Sequence, residues 1–171
     1  MEKDKGRRID SFRELGHEKG ARPDAQSHQH DSHQGPQDDY LKGGYYVGEN
    51  LRCEVYLRWA RDRAQRMGGG KHPVSRNSLR GFFTMLRETK RAFDYESIKH
   101  PQEAWGKAES SLCKMEMLGE YQRKRSVVND VALDFLKQNI REARKGKKNL
   151  YGFLEHFQAV IAYLPERLKG A

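Results

Sequence analysis

The chain has 171 residues, with 33 Lys and Arg against 24 Asp and Glu, for a formal net charge of +9. Hydrophobic residues make up only 36% of it and the mean hydropathy is −1.02, so one economical core is expected rather than two ordinary domains. A pI near 9.6 points to a polyanionic partner, nucleic acid or an anionic membrane. No apolar run approaches the ~20 residues that a membrane helix requires, and the apolar helix faces are needed for the core, so no membrane partner is expected.

Met1 to Asp39 holds seven basic and nine acidic residues with almost nothing to bury, and a disordered polar tail is expected there. Its opening stretch, Met1 to Gly16, is charged throughout and does not read as a secretory leader. The remaining residues, 40–171, carry 26 basic and 15 acidic groups, so the positive field belongs to this second, helical domain. Tyr40 to Gly48 (YLKGGYYVG) suits an extended lead-in whose rings pack on the body.

Beyond the lead-in the pattern predicts an all-α bundle of about five short helices, with no strand. The first runs from about Leu51 to Met67 and stops at Gly68-Gly69-Gly70, with Arg58 and Arg61 facing away from its apolar arc. The second starts near Ser75 or Asn77 and continues to about Phe93, burying Leu79, Phe82, Phe83 and Leu86. The third follows His100, with Pro101 at its first position, and ends between Tyr121 and Arg125. The fourth spans about Asn129 to Lys145, and Asn149 is expected to cap a fifth that buries Phe153, Phe157 and Val160.

Chemistry is hard to find in this pattern. The Gly68-Gly69-Gly70-Lys71 run lacks the spacing, the hydroxyl residue and the preceding strand of a phosphate loop. His28, His30, Asp31 and His33 are metal-ligand types but sit in the tail, away from any rigid support. Cys53 and Cys113 lack zinc-ligand spacing and read as reduced, partly buried thiols. No nucleophile context or acid–base pair stands out, so neither catalysis, a cofactor nor a metal is expected.

The cations are more informative. Arg80, Arg87 and Arg91 fall within about 40° of one another around the second helix, with Arg76 at its start. Such a ladder suits a phosphate backbone, which guanidinium groups can grip through two parallel hydrogen bonds. Arg123, Lys124 and Arg125 end the third helix. Arg141, Arg144, Lys145, Lys147 and Lys148 form a third group, where stabilisation of a helix C-terminus is an equally good explanation. Nucleic-acid binding is expected from the first two groups, with Arg58 and Arg61 as further candidates.

Three stretches resemble the small helical subunit of type III-A CRISPR effector (Csm) complexes. VSRNSLRGFF (Val74 to Phe83) is similar to that family's hydroxyl-rich cap followed by Leu-Arg and paired aromatics. EYQRKR (Glu120 to Arg125) is similar to its Tyr-x-x-x-Arg element at Tyr121 and Arg125, and FQAVIAY (Phe157 to Tyr163) to its closing helix. Gly81 departs from the pattern, and so does Gln158, which replaces an acidic residue. The resemblance covers roughly Tyr40 to Leu164 and implies a cytoplasmic, prokaryotic protein without nuclease activity. Its implied partners are guide RNA and target RNA, the backbone and large subunits, and copies of itself, with Arg80 and Arg125 on the RNA. A free-standing helical nucleic-acid-binding protein and a protein–protein scaffold are the alternatives.

Overall fold

The computed structural model describes residues 39–166 and 168, and the expected tail disorder over residues 1–38 lies outside them. The described residues are all-α apart from one two-residue antiparallel pair, β1 (Tyr46–Val47) with β2 (Asn50–Leu51). That pair was not expected from the sequence. It folds the lead-in back on itself, so that Tyr46 and Leu51 face each other as register partners. A one-turn helix α1 (Cys53–Tyr56) follows, then α2 (Arg58–Gly68), α3 (Arg76–Lys99), α4 (Pro101–Lys124), α5 (Asp130–Ala143) and α6 (Lys147–Ala162).

Local signals account for most boundaries. Ser75 caps α3, its hydroxyl accepting from the Ser78 amide at 3.5 Å, and Asn129 caps α5 by accepting from the Ala132 amide at 2.9 Å. Pro101 opens α4, where its missing amide hydrogen costs nothing. Two boundaries differ from expectation. The single helix expected over 51–67 breaks at Leu57 (φ −109°, ψ −90°). In an unbroken helix Val55 and Ala60 would point about 140° apart; the break lets both be fully buried. The last helix starts at Lys147 rather than after Asn149, because Gly146 (φ 146°) turns the chain straight into it. α3 also runs on past its expected end near Phe93 to Lys99, and α4 ends at Lys124, within the expected range.

α6 is the hub, packing against α1, α2, α3 and α5, while α3 and α4 lie along each other and α5 bridges α4 to α6. Phe135, Phe153 and Phe157 meet at its centre, with Phe135 and Phe157 5.1 Å apart edge to face and Phe153 stacked on Phe157 at 5.7 Å. All three are fully buried, and truncating such a ring to Ala costs about 3–5 kcal/mol.

The lead-in is tied down by a buried polar chain linking residues about a hundred positions apart. Tyr45 donates to Asn139 Oδ1 at 2.7 Å, and Asn139 Nδ2 donates to Phe135 O at 2.7 Å and to the Tyr40 hydroxyl at 2.8 Å. Tyr40 must then donate to His156 Nε2 at 3.0 Å, because His156 Nδ1 faces the Val55 carbonyl at 2.8 Å, which only accepts. Every polar atom in the chain is satisfied only when His156 is neutral and protonated on Nδ1. Arg63, itself buried, lies 4.1 Å from the centre of the Tyr40 ring. Asp39, read from the sequence as tail, belongs to this folded unit and pairs with Arg141 at 2.8 Å.

The Tyr45 ring lies directly on α6. A Cβ at Gly152 would sit 2.5 Å from Tyr45 Cδ2 and 2.9 Å from its Cβ. Gly152→Ala is therefore expected to destabilise the protein by about 2–3 kcal/mol, through forced displacement in a packed core. Thermal denaturation followed by circular dichroism checks this: a drop of roughly 10 °C is expected, and an unchanged midpoint would mean that the lead-in is not seated as described.

Candidate nucleic-acid interface

Backbone and side-chain hydrogen bonds gather three chain segments at one end of the bundle. The Ser75 amide donates to Val127 O at 3.1 Å, joining the start of α3 to the α4–α5 connection. Asn129 Nδ2 donates to Met67 O and His72 O, at 2.9 and 3.1 Å, holding the α2–α3 connection there too. Arg76 donates to Leu164 O at 3.1 Å and Pro165 O at 2.8 Å, which brings in the segment after α6. Two groups of cations separate in sequence, the start of α3 and the end of α4, thus share one end of the molecule. Periodicity alone gave no sign of it.

These bonds define Arg76. Its guanidinium is engaged with two backbone carbonyls of the segment that follows α6. It is a structural tie, and its capacity to hold phosphate is largely spent inside the protein. Arg80, Arg87 and Arg91 are different: all are exposed on α3, flanking the buried stripe of Leu79, Phe82, Leu86 and Phe93. None forms an ion pair with a described carboxylate. Arg87 lies 5.9 Å from the Phe83 ring centre, and Phe83 packs edge-on against Phe157 of α6.

From the other flank of α6, Arg61 of α2 sits 5.3 Å from the Tyr163 ring. Between these flanks α6 exposes Gln158 and Ala162. Gln158, exposed next to the buried Phe157, adds no negative charge to this side of α6. Arg58, also exposed on α2, pairs with no described residue.

At the end of α4 the three cations behave differently. Arg123 donates to Asp130 at 2.6 Å, a contact that raises its already high pKa and holds the guanidinium across the α4–α5 turn. Lys124 is exposed and unpaired among the described residues. Arg125 lies 5.5 Å from the exposed Tyr121 ring, just before the turn at Ser126 (φ 57°).

The third group is at the far end, where α5 meets α6, and the structure largely neutralises it. Arg141 pairs with Asp39 and Arg144 with Glu109, each at 2.8 Å. Lys145 pairs with Glu142 at 2.5 Å and Lys148 with Glu49 at 2.8 Å. Lys147 lies beside the Phe93 and Tyr151 rings. Here the charges serve the fold.

Among the described residues no three His, Cys, Asp or Glu side chains are placed to hold a metal ion, and the His28–His33 cluster lies outside them. Cys53 and Cys113 are both exposed, contrary to the expected partial burial, because each falls on the outer arc of its helix. No described helix is long and apolar enough to cross a membrane. No family model, curated protein or solved structure matches this chain.

Proposed function

We propose that this chain is a non-catalytic RNA-binding subunit that grips the sugar–phosphate backbone without reading base sequence. The observation that carries this reading is the exposed arginine ladder Arg80, Arg87 and Arg91 along α3, unpaired with described carboxylates, while Arg141, Arg144, Lys145 and Lys148 about the α5–α6 turn are matched to acidic partners. Guanidinium groups without carboxylate competitors are the donors a phosphodiester requires.

The assembly in which it works is, on this reading, a type III-A CRISPR effector in a prokaryotic cytoplasm, with the chain as its small subunit. Guide and target RNA, the backbone and large subunits and further copies of the chain are its partners there. Two of the resembling stretches support this by meeting in space. Ser75 caps α3, Leu79 and Phe82 enter the core, and Phe83 packs on Phe157, the first residue of the closing stretch. These two of the three stretches thus form one packed unit beside the arginine ladder.

The test is affinity for a roughly 20-nucleotide single-stranded RNA across a salt series. The logarithm of the binding constant is expected to fall with the logarithm of salt concentration at a slope of about −3, as for four to five phosphates neutralised on a single strand. RNAs of unrelated sequence should give the same constant within about threefold. A flat salt response, or no binding at low salt, refutes the reading.

A further inference from the structure

Among the described residues α4 packs mainly against α3 and α5, and its opposite side is exposed at Gly106, Ser110, Met117, Tyr121 and Lys124. Three of its four carboxylates, Glu109, Glu116 and Glu120, lie toward α5, where Glu109 meets Arg144 and Glu120 meets Lys137, and the fourth, Glu103, is exposed near the start of α4 and paired with Lys107. The outward arc from Gly106 to Arg125 carries no acidic residue. It presents Lys114, Met117, Tyr121 and Lys124, neighbours at helical spacings of three and four. Met117 is 61% exposed and Tyr121 56% exposed. Lys114 and Lys124 have no partner among the described residues.

Two further features shape this arc. Small residues at Gly106, Ser110 and Ser111 leave a shallow open depression, bordered by Lys114, Glu103 and Lys107, the last already paired with Glu96 at 2.7 Å and Glu103 at 3.3 Å. About 16 Å along the helix, Tyr121 stands out with the Arg125 guanidinium beside its ring. Beyond this depression, unpaired lysines at Lys114 and Lys124 on either side of an exposed aromatic face form the arrangement that holds an unpaired strand: lysines meet phosphates while a base lies on the ring. A duplex keeps its bases stacked inside and offers nothing to Tyr121.

We propose that the outer face of α4 is a second nucleic-acid site, specific for single strands, in which Tyr121 stacks an unpaired base and Lys114 and Lys124 hold the flanking phosphates. The inference deepens the RNA-binding reading and rests on it. The α3 ladder grips backbone whatever its pairing; the α4 face adds a preference for strands whose bases are open.

The test uses the full-length protein, a roughly 12-nucleotide oligouridine and an RNA duplex of the same length. Y121A is expected to weaken oligouridine binding about tenfold, with duplex binding unchanged within twofold, and Y121F to retain wild-type affinity for both. In Y121W the added indole, exposed where the two native tryptophans are partly buried, should lose fluorescence on addition of oligouridine and not of duplex. If Y121A binds oligouridine as tightly as the wild type while R80E/R87E does not, the α4 site is wrong and the ladder stands. Equal losses for Y121A on both probes also overturn the single-strand preference. Failure of the wild-type protein to bind either probe removes both proposals.

Discussion

R80E/R87E will bind single-stranded RNA about a hundredfold more weakly than the wild type at physiological salt, with a melting temperature within about 2 °C of it. Both arginines are exposed and pair with no described carboxylate, so the folded protein loses little when they change. Arg87 gives up one long contact with the Phe83 ring, and Phe83 keeps its packing on Phe157. RNA loses two phosphate contacts and gains two repulsive charges, so the salt slope should also flatten by about 1.4. R144Q makes the natural comparison, because it alters a cation paired with Glu109 at the neutralised end. Its RNA affinity should stay within about twofold. A double mutant that melts many degrees lower would make Arg80 and Arg87 structural, and one that binds RNA normally would remove the ladder from the interface.

Acid will loosen the fold well before the carboxylates titrate. Burial, against the pull of the Val55 carbonyl and with added repulsion from Arg63, lowers the pKa of His156 from 6.5 to about 4. A histidine depressed in the folded state takes up its proton more readily when unfolded. Its full stabilising contribution is present above pH 6.5 and is lost as pH falls toward 4. The difference amounts to about 3 kcal/mol across that window. Glu96, held below the usual carboxylate range by Lys107, releases its smaller share only at more acid pH. Urea unfolding at pH 7, 6, 5 and 4.5 should show a steadily falling midpoint, and His156→Asn should flatten the dependence from a lower starting stability. A wild-type midpoint constant from pH 7 to 5 would mean that the buried chain through Tyr40 and Asn139 tolerates a charged imidazole.

The helices were legible because their signals are local. Ser75, Pro101 and Asn129 stand beside the turns they start, and the apolar spacing of Leu79, Phe82, Leu86 and Phe93 marks the core face of α3 directly. The break at Leu57 was not legible, because apolar residues continue through it on both sides. Gly146 did carry a signal for the start of α6, but Asn149 offered a competing cap three residues later.

The site was half legible. Spacing placed Arg80, Arg87 and Arg91 on one face, which holds for any helix. Whether a cation is available depends instead on partners far along the chain. Asp39 lies 102 residues from Arg141, and Leu164 lies 88 from Arg76. No periodicity reveals that the first pair cancels a charge or that the second turns an apparent phosphate ligand into a tie. His156 shows the same limit, since its partner Tyr40 is 116 residues away.

Unequal neutralisation also makes the described residues electrically lopsided, with unpaired cations along α3 and paired ones about the α5–α6 turn. A polyanion at a distance feels a torque as well as a net attraction, so the protein should arrive already turned with α3 toward the strand. Raising the salt concentration should then slow encounter more than it hastens release, because the long-range field is screened before the contacts are.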